Sequence, residues 1–89
     1  MTMSVESNLA AEIEQATELD ASGLYCPEPV MMLHNKIREI EAEQCLYLKA
    51  TDPSTTRDVP KFCIYLGHEL LSEEQQGEHY YYLIRKKAD

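Results

Sequence analysis

The sequence is poor in the features that would tie it to a membrane, to nucleic acid or to the secretory route. No apolar run approaches the ~20 residues a bilayer span needs, and the start of the chain lacks the charged-then-apolar pattern of a signal peptide. Basic residues are scarce: eight Lys and Arg stand against sixteen Asp and Glu in 89 residues, a formal charge of −8. That balance argues against direct contact with nucleic acid or an anionic membrane, because both demand basic patches. The three cysteines, at positions 26, 45 and 63, are too few and odd in number for a disulfide framework. A cytoplasmic protein with reduced thiols is expected. No Cys-x-x-Cys or His-x-x-x-His spacing exists, so neither a metal nor a cofactor is expected. No internal repeat or low-complexity segment is present, and the length allows one domain with one modest core.

Against these absences stands Gly23-Leu24-Tyr25-Cys26-Pro27-Glu28-Pro29. Two prolines so close would break a helix interior but are tolerated in a first turn, where backbone N–H groups have no internal partner. With Cys26 as N-cap, Pro27, Glu28 and Pro29 become the first three helical residues. A residue before proline avoids the helical region, which suits a cap. The thiol would then sit at the positive end of a helix dipole with the Glu28 amide free to point at it, and its pKa should fall. A persulfide anion would be favoured there equally. The alternative is that Cys26 is only a small residue at a tight turn.

The pattern along the chain predicts β-α-β-α-β-β. Residues 1–17 read as a flexible acidic tail and residues 18–89 as the domain. Strand one fits Glu18 to Ala21. A helix from Pro27 to about Glu41 places Val30, Leu33, Ile37 and Ile40 on one face. Strand two fits Cys45 to Ala50, with Cys45 on the side opposite Leu46 and Leu48 and open to solvent. Asp58 is read as the cap of a second helix, with Pro60 in its first turn, Val59, Phe62, Cys63 and Leu66 as its buried stripe, and Gly67 as its end. Strands from His68 to Ser72 and Tyr80 to Arg85 follow, joined through Gln76-Gly77. Right-handed crossovers would set both helices on one face of a four-stranded mixed sheet, an α/β two-layer sandwich. The tyrosines at 80 to 82 alternate faces, which fits packing rather than a stacking platform.

Other cysteine chemistries find little support. A dithiol exchanger needs a second cysteine where Pro29 stands. A cysteine hydrolase needs a base within reach. His34 lies eight residues along the helix, roughly 12 Å away at 1.5 Å per residue, and His68 and His79 fall on strands as ordinary polar positions. Cys63 belongs to a buried stripe. Attack on, or receipt of, a sulfane sulfur remains.

Cys26-Pro27-Glu28-Pro29 followed by Val30-Met31-Met32 resembles the signature of the TusA (SirA-like) family of sulfur carriers. Leu19-Asp20-Ala21, the run Asp52 to Pro60, Phe62-Cys63, His68-Glu69-Leu70 and Tyr82 to Lys86 extend the resemblance over residues 18 to 87. The resemblance implies the same sandwich and maps the sulfur-accepting cysteine onto Cys26. It implies a sulfurtransferase-type persulfide carrier rather than a stand-alone enzyme. A cysteine desulfurase would be the donor and a downstream relay protein the acceptor, with tRNA wobble-uridine 2-thiolation the best-known destination. The chain departs from the family pattern at Tyr25, His34 and Asn35, where basic residues would stand; Lys36 and Arg38 remain. Because Cys26 and the run from Asp52 both follow parallel strands, Cys26, Arg38, Asp52 and Arg57 are expected to share a docking face. Two rival readings stay open: a binding or regulatory module using the turn only structurally, and a thiol redox sensor.

Overall fold

The structure is a computed structural model that describes Ile13 and residues 15–88. Most of the N-terminal tail reading therefore lies outside the described residues, although Thr17 already belongs to the first strand.

β1 (Thr17–Ala21), α1 (Glu28–Glu39), β2 (Cys45–Ala50), α2 (Thr55–Leu66), β3 (Glu69–Gln76) and β4 (His79–Arg85) follow in that order. The sheet runs β1-β2-β4-β3. β1 lies parallel to β2, with Leu19 opposite Leu48 and Ala21 opposite Ala50. β4 is antiparallel to both β2 and β3. This is the expected mixed sheet. Leu19, Leu46, Leu48, Tyr82 and Ile84 from the sheet form one buried cluster with Leu33, Ile37 and Ile40 of the α1 segment and Val59, Phe62 and Cys63 of α2. Both helices therefore cover one face, and burial of these side chains is the main force holding the layers together. No helix among the described residues is long and apolar enough to cross a membrane.

Several expectations shift. α1 starts at Glu28, with Pro27 as its N-cap, and ends at Glu39. Pro29, Leu33, Ile37 and Ile40 are the buried positions, whereas Val30 is only partly covered. α2 starts at Thr55 with Ser54 as N-cap, so Asp58 lies within its first turn rather than capping it, and Pro60 is internal. Proline there removes one backbone donor. The earlier start is explained by Asp52, whose Oδ1 accepts from the Ser54 N–H at 3.0 Å while its carbonyl accepts from the Thr55 N–H at 3.0 Å. α2 ends as read from the sequence, on Gly67 at φ 78°. That left-handed conformation favours glycine.

β3 continues to Gln76, well past Ser72. Glu73 to Gln76 carry no apolar alternation, yet they pair with Tyr82, Tyr81, Tyr80 and His79 of β4. Charged side chains along this outer strand discourage pairing with another chain. Tyr82 is fully buried and its Oη lies 2.8 Å from Thr55 Oγ1. Tyr81 stacks on Tyr47, ring centroids 5.8 Å apart. The tyrosines thus alternate faces as expected. Cys45 is a correction: it is buried, at the floor of a small pocket that Gln15, Glu43 and Gln44 also line. Period-two alternation assigns a side chain to a face, but the loop before β2 decides whether that face is wet.

Candidate functional site

The site is built where β1 and β2 end side by side. After Ala21 the chain turns through Ser22 and Gly23. The Ser22 N–H donates to Asp20 Oδ1 at 2.9 Å, and the Gly23 N–H donates to Thr51 Oγ1, just beyond β2, at 2.8 Å. Gly23 has φ 81°, a conformation that side-chain-bearing residues avoid. Cys26 follows, exposed to solvent.

The local register differs from the sequence reading by one residue. With Pro27 as N-cap, Cys26 stands one position outside α1. The Glu28 N–H donates to the Tyr25 carbonyl at 2.9 Å, so it is committed to the turn and does not point at the sulfur. The backbone before a helix start that carries two prolines must close through whatever N–H remains, and Glu28 supplies it.

Asp52 holds Cys26 from below. It is 7% exposed, and its Oδ2 accepts from the Cys26 N–H at 2.7 Å and from Ser54 Oγ at 2.7 Å. The Ser54 backbone and side-chain bonds, followed by the Cys26 N–H and the Arg57 charge, hold the Asp52 carboxyl below the usual carboxylate range. A carboxylate satisfied by several donors stays ionised. Asp52 thus braces the thiol loop against the start of α2. Arg57 is exposed and its Nε donates to Asp58 Oδ1 at 3.2 Å. Arg38 is ten residues beyond Glu28 on α1, about 15 Å along the axis at 1.5 Å per residue. The structure brings Asp52 and Arg57 to the thiol and leaves Arg38 at the far end of the helix.

The electrostatics also run against the sequence reading. The Cys26 thiol is raised above its ordinary value, first by the Asp58 carboxylate beside it, then by partial desolvation and by the charge of Asp52, with Arg57 opposing. Cys26 stands one position outside the first turn, while two carboxylates sit close and disfavour a thiolate. Burial pushes the Cys63 thiol up to about 11, as expected of an inert core cysteine.

Beside the thiol runs a groove of about 410 Å³, lined by Cys26, Val30, Asp58, Phe62, Tyr65 and Leu66 among others. Its rim carries Tyr65, 87% exposed, next to Ile64, 81% exposed. Neither the groove nor the place of Asp58 was read from the sequence. A usable signal was present, since Ile64 and Tyr65 are large apolar residues off the α2 stripe. His34 packs edge-on against Phe62 at 5.8 Å, and His68 Nδ1 accepts from the Lys87 N–H at 3.1 Å. No histidine lines the groove. Among the described residues, no group of three or more His, Cys, Asp or Glu is placed to hold a metal ion.

A small two-layer domain that presents one exposed cysteine between a strand and a proline-rich helix start, beside an apolar groove, has the form of a docking carrier rather than of an enclosed active site. Comparison with known proteins gives the family. Residues 17–86 match the family described as Sulfurtransferase TusA. A sulfur carrier protein TusA from Pseudomonas paraeruginosa is 61% identical over 71 residues, covering 80% of this chain and 90% of that protein. Another of the same name from Pseudomonas entomophila is 61% identical over 77 residues, covering 86% and 95%. A third, from Pseudomonas syringae pv. tomato, is 58% identical over 71 residues, covering 80% and 84%. The chain belongs to the TusA family.

Proposed function

We propose that this protein is a sulfur carrier that accepts a persulfide sulfur on Cys26 from a cysteine desulfurase and hands it to a downstream relay protein, with 2-thiolation of the tRNA wobble uridine as the destination. The observation that carries the reading is the exposed Cys26 on its braced turn, in a chain whose relatives bear the name sulfur carrier protein TusA. The chain moves sulfur between partners and works in the cytoplasm. It makes no contact of its own with tRNA, since its charge of −8 would repel a polyanion.

Docking is assigned to the surface around the thiol. Arg57 and the groove rim meet the partner next to Cys26, Arg38 meets it farther along α1, and Asp52 acts from beneath by fixing the Cys26 backbone. Exposed cations at a rim steer association more than they stabilise the complex.

The test is complementation. A Pseudomonas strain lacking its own TusA is supplied with this protein or with Cys26→Ser, and 2-thiouridine in its tRNA is measured. Restoration by the wild type and not by the variant supports the relay. Equal restoration by both contradicts it.

A further inference from the structure

The groove beside the thiol contains an acid–base group to which the carrier role assigns no task. Asp58, the fourth residue of α2, lines the groove with Cys26. Arg57 Nε tethers its Oδ1 at 3.2 Å. Other charged or titratable groups face the sulfur or share its groove. Asp52 lies beneath and is fully engaged by Cys26 and Ser54. Arg57 and Lys61 are cations with no capacity to accept a proton. Tyr65 stands on the rim, 87% exposed. Val30, Phe62 and Leu66 supply an apolar lining. A donor segment seated there would expel water and remove the solvent route for a proton leaving Cys26.

We propose that Asp58 is a catalytic residue of sulfur transfer, carrying the Cys26 proton to the departing sulfur of the donor. The proposal rests on the carrier reading above. A donor persulfide R–S–SH meets the Cys26 thiol. Asp58 takes the Sγ proton as Sγ bonds to the outer sulfur. The donor S–S bond breaks, its electron pair goes to the inner sulfur, and Asp58 returns the proton there. R–S–SH and HS–Cys26 become R–SH and HS–S–Cys26. One S–S bond forms as one breaks, there is no net oxidation, and the carboxylate ends as it began. At rest the same carboxylate raises the thiol above its ordinary value, which lowers its thiolate fraction.

Asp58→Asn keeps the shape and removes the base. Two rates are compared in the full-length protein: iodoacetamide alkylation of Cys26, and single-turnover sulfur uptake from a cysteine desulfurase preloaded with persulfide. The expected result is opposite in sign. Alkylation at neutral pH rises, whereas the limiting rate of uptake falls about a hundred-fold or more, the lower end for a positioned proton carrier, with the half-saturating donor concentration unchanged. Asp58→Glu, which retains a carboxylate, keeps most of the uptake rate. Continued protection of Cys63 from alkylation shows that each variant is folded. Uptake by Asp58→Asn as fast as wild type overturns the relay, as does a raised half-saturating concentration with an unchanged limiting rate, which makes Asp58 a docking residue. If Asp58→Asn does not fold, uptake by Asp58→Glu slowed about a hundred-fold, the loss expected if no proton carrier were present, also overturns it. If the wild type itself takes up no sulfur, the carrier reading falls and the relay with it. If the wild type loads and Asp58→Asn loads equally fast, the relay alone falls.

Discussion

Replacing Asp52 with alanine is expected to destabilise the protein out of proportion to the size of the change, because three donors lose one acceptor. The Ser54 N–H and Oγ–H and the Cys26 N–H all point at its carboxylate. The net value of one hydrogen bond in a folded protein is typically about 1 kcal/mol. A hydrogen bond to a charged group contributes about 1.5–3 kcal/mol; the Cys26 amide lies near solvent, so water recovers part of its share. The sum is about 2–3 kcal/mol, a large fraction of the ~5–15 kcal/mol that holds a domain of this size together. At about 4–8 °C per kcal/mol for a small domain, the Tm should fall by roughly 10–20 °C. Urea unfolding followed by circular dichroism measures it. Ser54→Ala in the Asp52→Ala background should cost less than it does alone, since the two share bonds and their effects do not add. A loss below about 0.5 kcal/mol, the level of an ordinary surface change, would refute the brace.

Other consequences follow from the same contacts. Tyr82→Phe should cost about 1 kcal/mol in urea unfolding, the net value of one buried hydrogen bond, because Thr55 Oγ1 keeps its 2.7 Å bond to the Asp52 carbonyl. Cys63, raised to about 11 by burial, should resist iodoacetamide at neutral pH in the folded protein and react only in urea; equal labelling of Cys26 and Cys63 without denaturant would contradict the packing. The Asp52 carboxyl is held below its ordinary range in the fold, so its contribution to stability is fully present above the unfolded value of about 3.9 and disappears as pH falls below that through the folded value. Urea midpoints should therefore drop more steeply for wild type than for Asp52→Ala between about pH 5 and pH 2.

Much of this architecture is legible in the residues, and the exceptions have physical causes. The stripe Leu33, Ile37, Ile40, the alternation Leu46, Leu48, Ala50 and the paired prolines after Cys26 each carry local information, and each places its element correctly. The cap positions do not, because they depend on contacts made across the chain. Asp52 reaches Cys26 over 26 positions, and its hold on Ser54 starts α2 three residues before Asp58. The polar half of β3 was hidden because pairing with the β4 tyrosines, not its own alternation, makes it a strand. The exposed place of Cys26 between β1 and α1 was legible from its motif. Its electrostatic setting was not, since Asp58 reaches it from a different helix.

The most direct test of sulfur carriage is the intact mass of the protein after incubation with a cysteine desulfurase and cysteine, with the modified residue located by peptide mapping. The expected result is a gain of one sulfur atom on the peptide containing Cys26, removed by reducing agent and absent from Cys26→Ser. A gain that survives Cys26→Ser, or none from the desulfurase of a Pseudomonas that carries a close relative, would contradict the account.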